Sequence, residues 1–265
     1  MATLPAAGSA PGPVPVPKVA AGLRSPAQFL VQVGLIVAIW LTYSLARSLS
    51  GGDVASAVRH GQAMMGWDQN LGLGWTLELN QWVTRHAVVA VPFTFEYASL
   101  HYVVTPLVLL WVWRTRPEFY RTALTALILM TAVGLVFYIG LPVAPPRLLP
   151  DAGWADTMRA YSHLGWWGAG ASAPAGLEHF TDQYAAMPSL HVGWAIWCAW
   201  AGRRATQPWV RRLVWLYPVS IGFAVVVTAN HYVIDVIAGG ALSLSACALA
   251  VKAGNRRWGS LSRSR

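Results

Sequence analysis

Residues 122–143 read TALTALILMTAVGLVFYIGLPV, a stretch without one charged side chain. As a helix rising about 1.5 Å per residue it spans about 33 Å, enough to cross roughly 30 Å of bilayer hydrocarbon. Outward from it, similar runs recur at Phe29–Ala46, Phe93–Trp113, Met187–Gly202, Leu213–Tyr232 and Val233–Val251. Together they predict an all-α, polytopic membrane protein with six transmembrane helices. Composition agrees: 55% of residues are hydrophobic and 11% charged, where soluble domains carry roughly 25% charged. A mean hydropathy of +0.45 excludes a water-soluble core. The net charge of +9 does not point to nucleic acid, because no basic segment interleaved with aromatic residues forms a groove. Cys198 and Cys247 both fall in apolar runs, where cysteine behaves as a small buried hydrophobe.

The basic residues give orientation, since Lys and Arg collect on the cytoplasmic side of short loops. Lys18, Arg24, Arg114, Arg116, Arg121, Arg203, Arg204, Arg211, Arg212, Lys252, Arg256, Arg257, Arg263 and Arg265 all fall on one side. That side, with both termini, is expected in the cytoplasm, and the protein in the cytoplasmic membrane. The other side holds most of the acids, including Asp53, Asp68, Asp151 and Asp156, and two long connections. The first carries Trp67, Trp75 and Trp82, which predicts helices lying in the interface. Residues 1–25, rich in Ala, Pro and Gly, read as a disordered tail; 26–253 form the membrane domain; 254–265 form a basic cytoplasmic tail. Pro218, inside the fifth run, predicts a kink.

Polar residues at the outer ends of the later helices converge. The third run leads into Ala144-Pro145-Pro146-Arg147, the fourth opens with Pro188-Ser189-Leu190-His191, and the last two join at Asn230-His231-Tyr232-Val233-Ile234-Asp235. Charged or titratable groups in or beside apolar spans cost about 2.5–3.5 kcal/mol each on insertion scales, so they persist where they face a cavity or one another. On one helix His231 and Asp235, four apart, share a face, and the carboxylate can take a proton from one ring nitrogen. The other nitrogen is then available for attack. His191 suits a proton donor, Arg147 a fork of donors for phosphate oxygens, and Ser189 a hydroxyl donor. Pro188 in the first turn of a helix would aim its N-terminal amides at an anion.

In these motifs the chain resembles the superfamily of type 2 phosphatidate phosphatases and vanadium haloperoxidases. Its Pro-Ser-Gly-His motif corresponds to Pro188 through His191, and its final His-x-x-x-Asp to His231 and Asp235. The resemblance covers roughly Thr122 to Val251. It implies that His231 is a nucleophile forming a phosphohistidine, Asp235 its orienting partner and His191 the general acid. Arg147, Ser189 and Leu190 would bind phosphate, and neither metal nor cofactor is implied. Four positions depart from the pattern: Gly140 in place of a lysine, Leu148 after Arg147 in place of a proline, Leu190 in place of a glycine, and Val225 in place of an arginine six residues before His231. The departures are similar to the inositol phosphorylceramide synthase branch, which transfers a phosphorylated headgroup between lipids.

The expected function is therefore transfer of a phosphoryl or phosphorylated headgroup from a phospholipid or polyprenyl phosphate, to an alcohol or to water, at the outer face of the bilayer. Two other readings of the same residues stay open: a metal held by His191, His231 and Asp235, and a cavity that binds or moves lipid phosphate without turnover. With two cations of the pattern missing, Tyr97, His101 and Thr105, each four apart on the second run, are expected to turn into the cavity. His101 and Tyr97 would there bind headgroup or acceptor. His60, His86, His163 and His179 read as exposed loop residues.

Overall fold

A computed structural model describes residues 25–48, 53–168, 183–204 and 207–263. The expected N-terminal tail lies outside them but for its last residue, as does His179. Among the described residues the chain is helical, with no strand; its one parallel bridge pairs Val143 with Ala185. The helices are α1 (Pro26–Ser48), α2 (Val54–Asn70), α3 (Trp75–Arg85), α4 (Ala87–Thr115), α5 (Pro117–Gly140), α6 (Thr157–Ala160), α7 (Leu190–Gly202), α8 (Pro208–Leu213), α9 (Leu216–Val227) and α10 (Val233–Arg263).

Local chemistry sets these boundaries. The Asp53 carboxylate caps α2, accepting from the amides of Ala55 and Ser56 at 3.1 and 3.2 Å. Pro117 and Pro208 each stand at a helix start, where the missing N–H has no intrahelical partner to lose. Four segments are long and apolar enough to cross a membrane: Ala87–Thr115, Pro117–Gly140, Pro208–Val227 and Val233–Asn255. The first and fourth expected spans form as helices too, but α7 has 13 residues, about 20 Å of rise. The apolar part of α1, Pro26–Ala38, is similarly short.

Three local expectations are corrected. The interruption in the fifth run lies at Val214 and Trp215, between α8 and α9, and Pro218 sits in the first turn of α9. A proline there needs no donor, so the chain breaks ahead of it and does not kink at it. Pro188 precedes the N-cap residue Ser189 and so stands outside the first turn of α7. His60 is partly buried, and its Nδ1 bonds the Pro142 carbonyl at 2.8 Å, tying α2 to the end of α5. The expected C-terminal tail continues α10 as helix to Arg263. The connection between the first and second expected spans forms helices, α2 and α3.

Helix α7 is the hub, packing against α4, α5, α9 and α10. Its Trp197 is fully buried and donates its indole N–H to the Ala123 carbonyl of α5 at 2.9 Å. At the end away from the polar motifs, the Arg204 guanidinium lies 3.3 Å over the Phe119 ring, a cation–π contact. At the other end α10 crosses α7 so closely that a Cβ on Gly239 would lie 2.1 Å from the Ser189 carbonyl oxygen. Only glycine fits, because the obstacle is backbone. That crossing holds α7 against the start of α10 and so brings two of the three motifs together.

Gly239→Ala should therefore destabilise the protein by at least about 1–3 kcal/mol, the usual cost of overpacking. Gly66→Ala in α2, where a Cβ meets nothing within 4 Å, should be neutral or stabilising by up to about 1 kcal/mol. Thermal unfolding in detergent compares them; a wild-type melting temperature for Gly239→Ala would contradict the close crossing.

Candidate active site

The site grows from the turn between α9 and α10. Helix α9 ends in a Schellman motif: the Ala229 amide bonds the Val226 carbonyl at 2.9 Å and the Asn230 amide the Val225 carbonyl at 3.1 Å. Ala229 takes the left-handed position at φ 55°, where glycine is usual. An alanine there costs about 1–2 kcal/mol. The strain falls two residues before His231.

His231 lies ahead of α10, not on it, so the expected shared helical face is replaced by a different arrangement. Asp235 is the third residue of α10, and its Oδ2 reaches back to accept the Tyr232 amide at 2.9 Å, as in a capping box. The same oxygen lies 3.4 Å from Nδ1 of His231. That nitrogen has a closer partner, the Ala186 carbonyl at 2.7 Å. A carbonyl only accepts, so Nδ1 carries the proton and a neutral ring presents Nε2 as its basic nitrogen. The Val143–Ala185 bridge sets the height of that carbonyl: the Ala186 amide bonds the Val143 carbonyl at 3.3 Å.

The two remaining amides at the start of α10 are capped from far away. Asp68, in the last turn of α2, accepts the Val233 and Ile234 amides at 2.8 and 3.0 Å. Burial pushes its carboxyl above the ordinary range, and the two N–H donors offset only part of the shift. Tyr232 adds a bond from its hydroxyl to the Ala144 carbonyl at 3.0 Å. The N-terminus of α10 is thereby fastened to α2 and to the segment after α5.

His191, on the first turn of α7, places its ring centre 5.8 Å from that of His231. Tyr97 of α4 stacks on it at 4.5 Å, and His101 meets it edge-on at 4.4 Å. The polar stripe of α4 therefore turns toward α7, with Thr105 further along accepting the Cys198 thiol at 3.7 Å. Ser189 is fully buried; its amide bonds the Asp235 carbonyl at 3.1 Å, while its hydroxyl has no partner. The Leu190 amide lies 3.4 Å from the Tyr138 hydroxyl, which itself donates to the Pro188 carbonyl at 2.8 Å.

Arg147 is bound to the same turn through its backbone and its guanidinium. Its amide donates to the Ala229 carbonyl and Nε to the Asn230 side chain, both at 3.0 Å, while Nη1 pairs with Asp156 at 3.2 Å. Asn230 in turn donates to the Thr228 hydroxyl at 2.9 Å. Among the described residues no three His, Cys, Asp or Glu side chains group as a metal-ligand set.

The sequence model of the PAP2 superfamily matches residues 62–249, most of the chain. The chain belongs to that superfamily. The crystal structure of Aquifex aeolicus LpxE is similar at 20% sequence identity, with a TM-score of 0.48, covering 66% of this chain and 94% of that one. No curated protein matches.

The candidate catalytic and phosphate-binding residues Arg147, Ser189, Leu190, His191, His231 and Asp235, with Tyr97 and His101, lie inside the part matched by the PAP2 superfamily, and the fold gathers them at one end of the bundle. Five contributors were not legible in the sequence. Asp68, Asp156 and Asn230 carry no local pattern that assigns them a partner, the Ala186 carbonyl has no side-chain signal at all, and Tyr138 reads as one more apolar-run residue. The one available clue was the burial cost of Asp68, an acid four residues after Met64 on the apolar side of α2. Removing its two charge-assisted bonds in Asp68→Ala should lower stability by about 2–3 kcal/mol. Asp68→Asn, which keeps one acceptor oxygen, should lose about half as much. Unfolding midpoints for the two variants equal to wild type would refute the cap.

Proposed function

We propose that the protein is a membrane enzyme that breaks a phosphate ester of a lipid through a phosphohistidine on His231. The observation that carries this reading is the fixed tautomer of His231: with Nδ1 held by Ala186 and Asp235, Nε2 is the nucleophile. Its lone pair attacks phosphorus, the bond to the lipid oxygen breaks, and His191 gives that oxygen a proton. In the second half-reaction water or an alcohol attacks the phosphohistidine, His191 takes back a proton, and Nε2 leaves. Asp235 steadies the ring as positive charge develops on it.

The Ser189 hydroxyl, the Leu190 amide and the Arg147 donors not used by Asn230 and Asp156 would hold the phosphate oxygens. Membership of the PAP2 superfamily supports a lipid phosphate as substrate. We further read six spans from the apolar runs and α2 and α3 as interfacial from their tryptophans, while the distribution of Lys and Arg favours cytoplasmic termini and a site at the outer face of the cytoplasmic membrane.

Transfer to an alcohol, as in inositol phosphorylceramide synthases, is favoured over hydrolysis of a monoester by one observation. Arg147 is already half-neutralised by Asp156, and Gly140 and Val225 supply no cation. A phosphodiester with a single charge suits that field better than a dianion. Tyr97 and His101, packed on His191, are then placed to meet headgroup or acceptor.

Purified protein incubated with lipid phosphomonoesters, diesters and candidate alcohols, with products resolved by mass, tests this. His231→Ala should abolish turnover, Asp235→Asn should leave a weak remnant, and His191→Ala should lose about 10²- to 10⁴-fold, most for poor leaving groups. Near wild-type turnover in His231→Ala would overturn the mechanism.

A further inference from the structure

Glu96, the tenth residue of α4, is an acid well inside a membrane-length helix, whereas Asp235 stands at the start of α10. Asp235 belongs to the site; Glu96 does not. It stands on α4 next to Tyr97, about 100° around the helix, facing α9, whose Ser220 lines the same cleft. An acid at such a position is costly and marks a functional contact by default.

Between α4 and α9 at this level lies a cleft of about 580 Å³, open at the side and lined by Pro92, Phe95, Glu96, Ser99, Leu100, Leu216, Tyr217 and Ser220. Its volume suits a small-molecule or lipid fragment. Its polar groups are specific. The Glu96 carboxyl offers acceptor oxygens in either protonation state. The Ser99 hydroxyl accepts the Trp166 indole N–H at 3.0 Å and keeps its own proton to donate. The Tyr217 hydroxyl is buried without a partner. Among the described residues no Lys, Arg or His lines the cleft, so a phosphate beside Glu96 would meet repulsion and no cation from them.

We infer that this cleft binds a lipid alcohol, whose hydroxyl donates to Glu96 and accepts from Ser99 while its chain lies along Phe95, Leu100 and Leu216. The inference rests on the proposed function in one respect: cleaving a lipid phosphate ester yields a lipid alcohol, and a transfer reaction consumes one. The cleft is one helix thickness from the chemistry. Tyr97 stacks on His191, and Trp166 lies 6.2 Å from Tyr102, whose ring sits 3.8 Å from His101. The lipid product or acceptor would thus wait beside the site in a cleft that excludes its phosphorylated form.

Full-length His231→Ala protein in phosphatidylcholine vesicles is photolabelled with a long-chain alcohol carrying a diazirine, and the adducts are located by mass spectrometry. Labelling is expected on residues 92–100 and 216–220, competed by unlabelled alcohol, and at least tenfold weaker with Glu96→Leu added. Glu96→Gln, which keeps an acceptor, should lose less. Should Glu96→Leu not fold, Ser99→Ala and Ser220→Ala replace it, each expected to weaken labelling. Adducts elsewhere, labelling unchanged in variants with a wild-type melting temperature, or equal competition by the matching lipid phosphate or an alkylammonium lipid would each overturn the inference. Because the background carries no His231, it cannot turn over, and labelling on Pro92, Phe95, Leu100 and residues 216–220, apart from Tyr97 and His101, reports binding in the cleft. Turnover by the wild-type protein is read separately, and its absence beside intact labelling would sink only the proposed reaction.

Discussion

The hydrogen bond from Nδ1 of His231 to the Ala186 carbonyl is the interaction on which the site end of the bundle depends. It chooses the tautomer, orients the ring and joins the last connection of the chain to the connection before α7. A carbonyl cannot itself take up the proton, so the choice holds wherever the ring is neutral. Asp235, at 3.4 Å, adds charge to this arrangement without being its main acceptor. Its stronger commitment is to the Tyr232 amide, which makes one carboxylate both a helix cap and a counter-charge.

Everything around that bond serves to hold a polar turn inside an apolar bundle. Backbone groups that would be orphaned there find partners: the Val233 and Ile234 amides on Asp68, the Ala229 carbonyl on the Arg147 amide, the Ser189 amide on the Asp235 carbonyl. The exceptions are then informative. The Ser189 hydroxyl and one oxygen of Asp235 are buried without partners among the described residues, and both belong to the motifs that meet at this turn. The left-handed Ala229 adds backbone strain at the same place, a combination that clusters at functional sites.

Much of this was legible in the sequence, for stated reasons. Uncharged runs long enough for a bilayer identify the helical class, and His191, His231, Asp235 and Arg147 stand out because polar groups are expensive beside such runs. The stripe of Tyr97 and His101 was readable from its spacing, and it does turn toward His191. What the sequence hid was long-range pairing. Asp68 caps a helix that starts 165 residues later, and Asp156 looks like any loop acid until the fold brings it to Arg147. Helix geometry misled in one case: the spacing of His231 and Asp235 suggested a shared face, whereas the two meet across a capping turn. Proline misled in another, since Pro218 begins α9 where a kink within one helix was expected.

The claim at the centre of this account is that phosphorus passes through a bond to Nε2 of His231. The most direct test is to quench wild-type protein within a single turnover of a lipid phosphate labelled at phosphorus and to locate the label on the chain. The account predicts a stoichiometric adduct on His231 that is stable to alkali, labile to acid, and discharged when water or the alcohol acceptor is admitted. Turnover that proceeds with no adduct on the protein, or with the label on another residue, would contradict it.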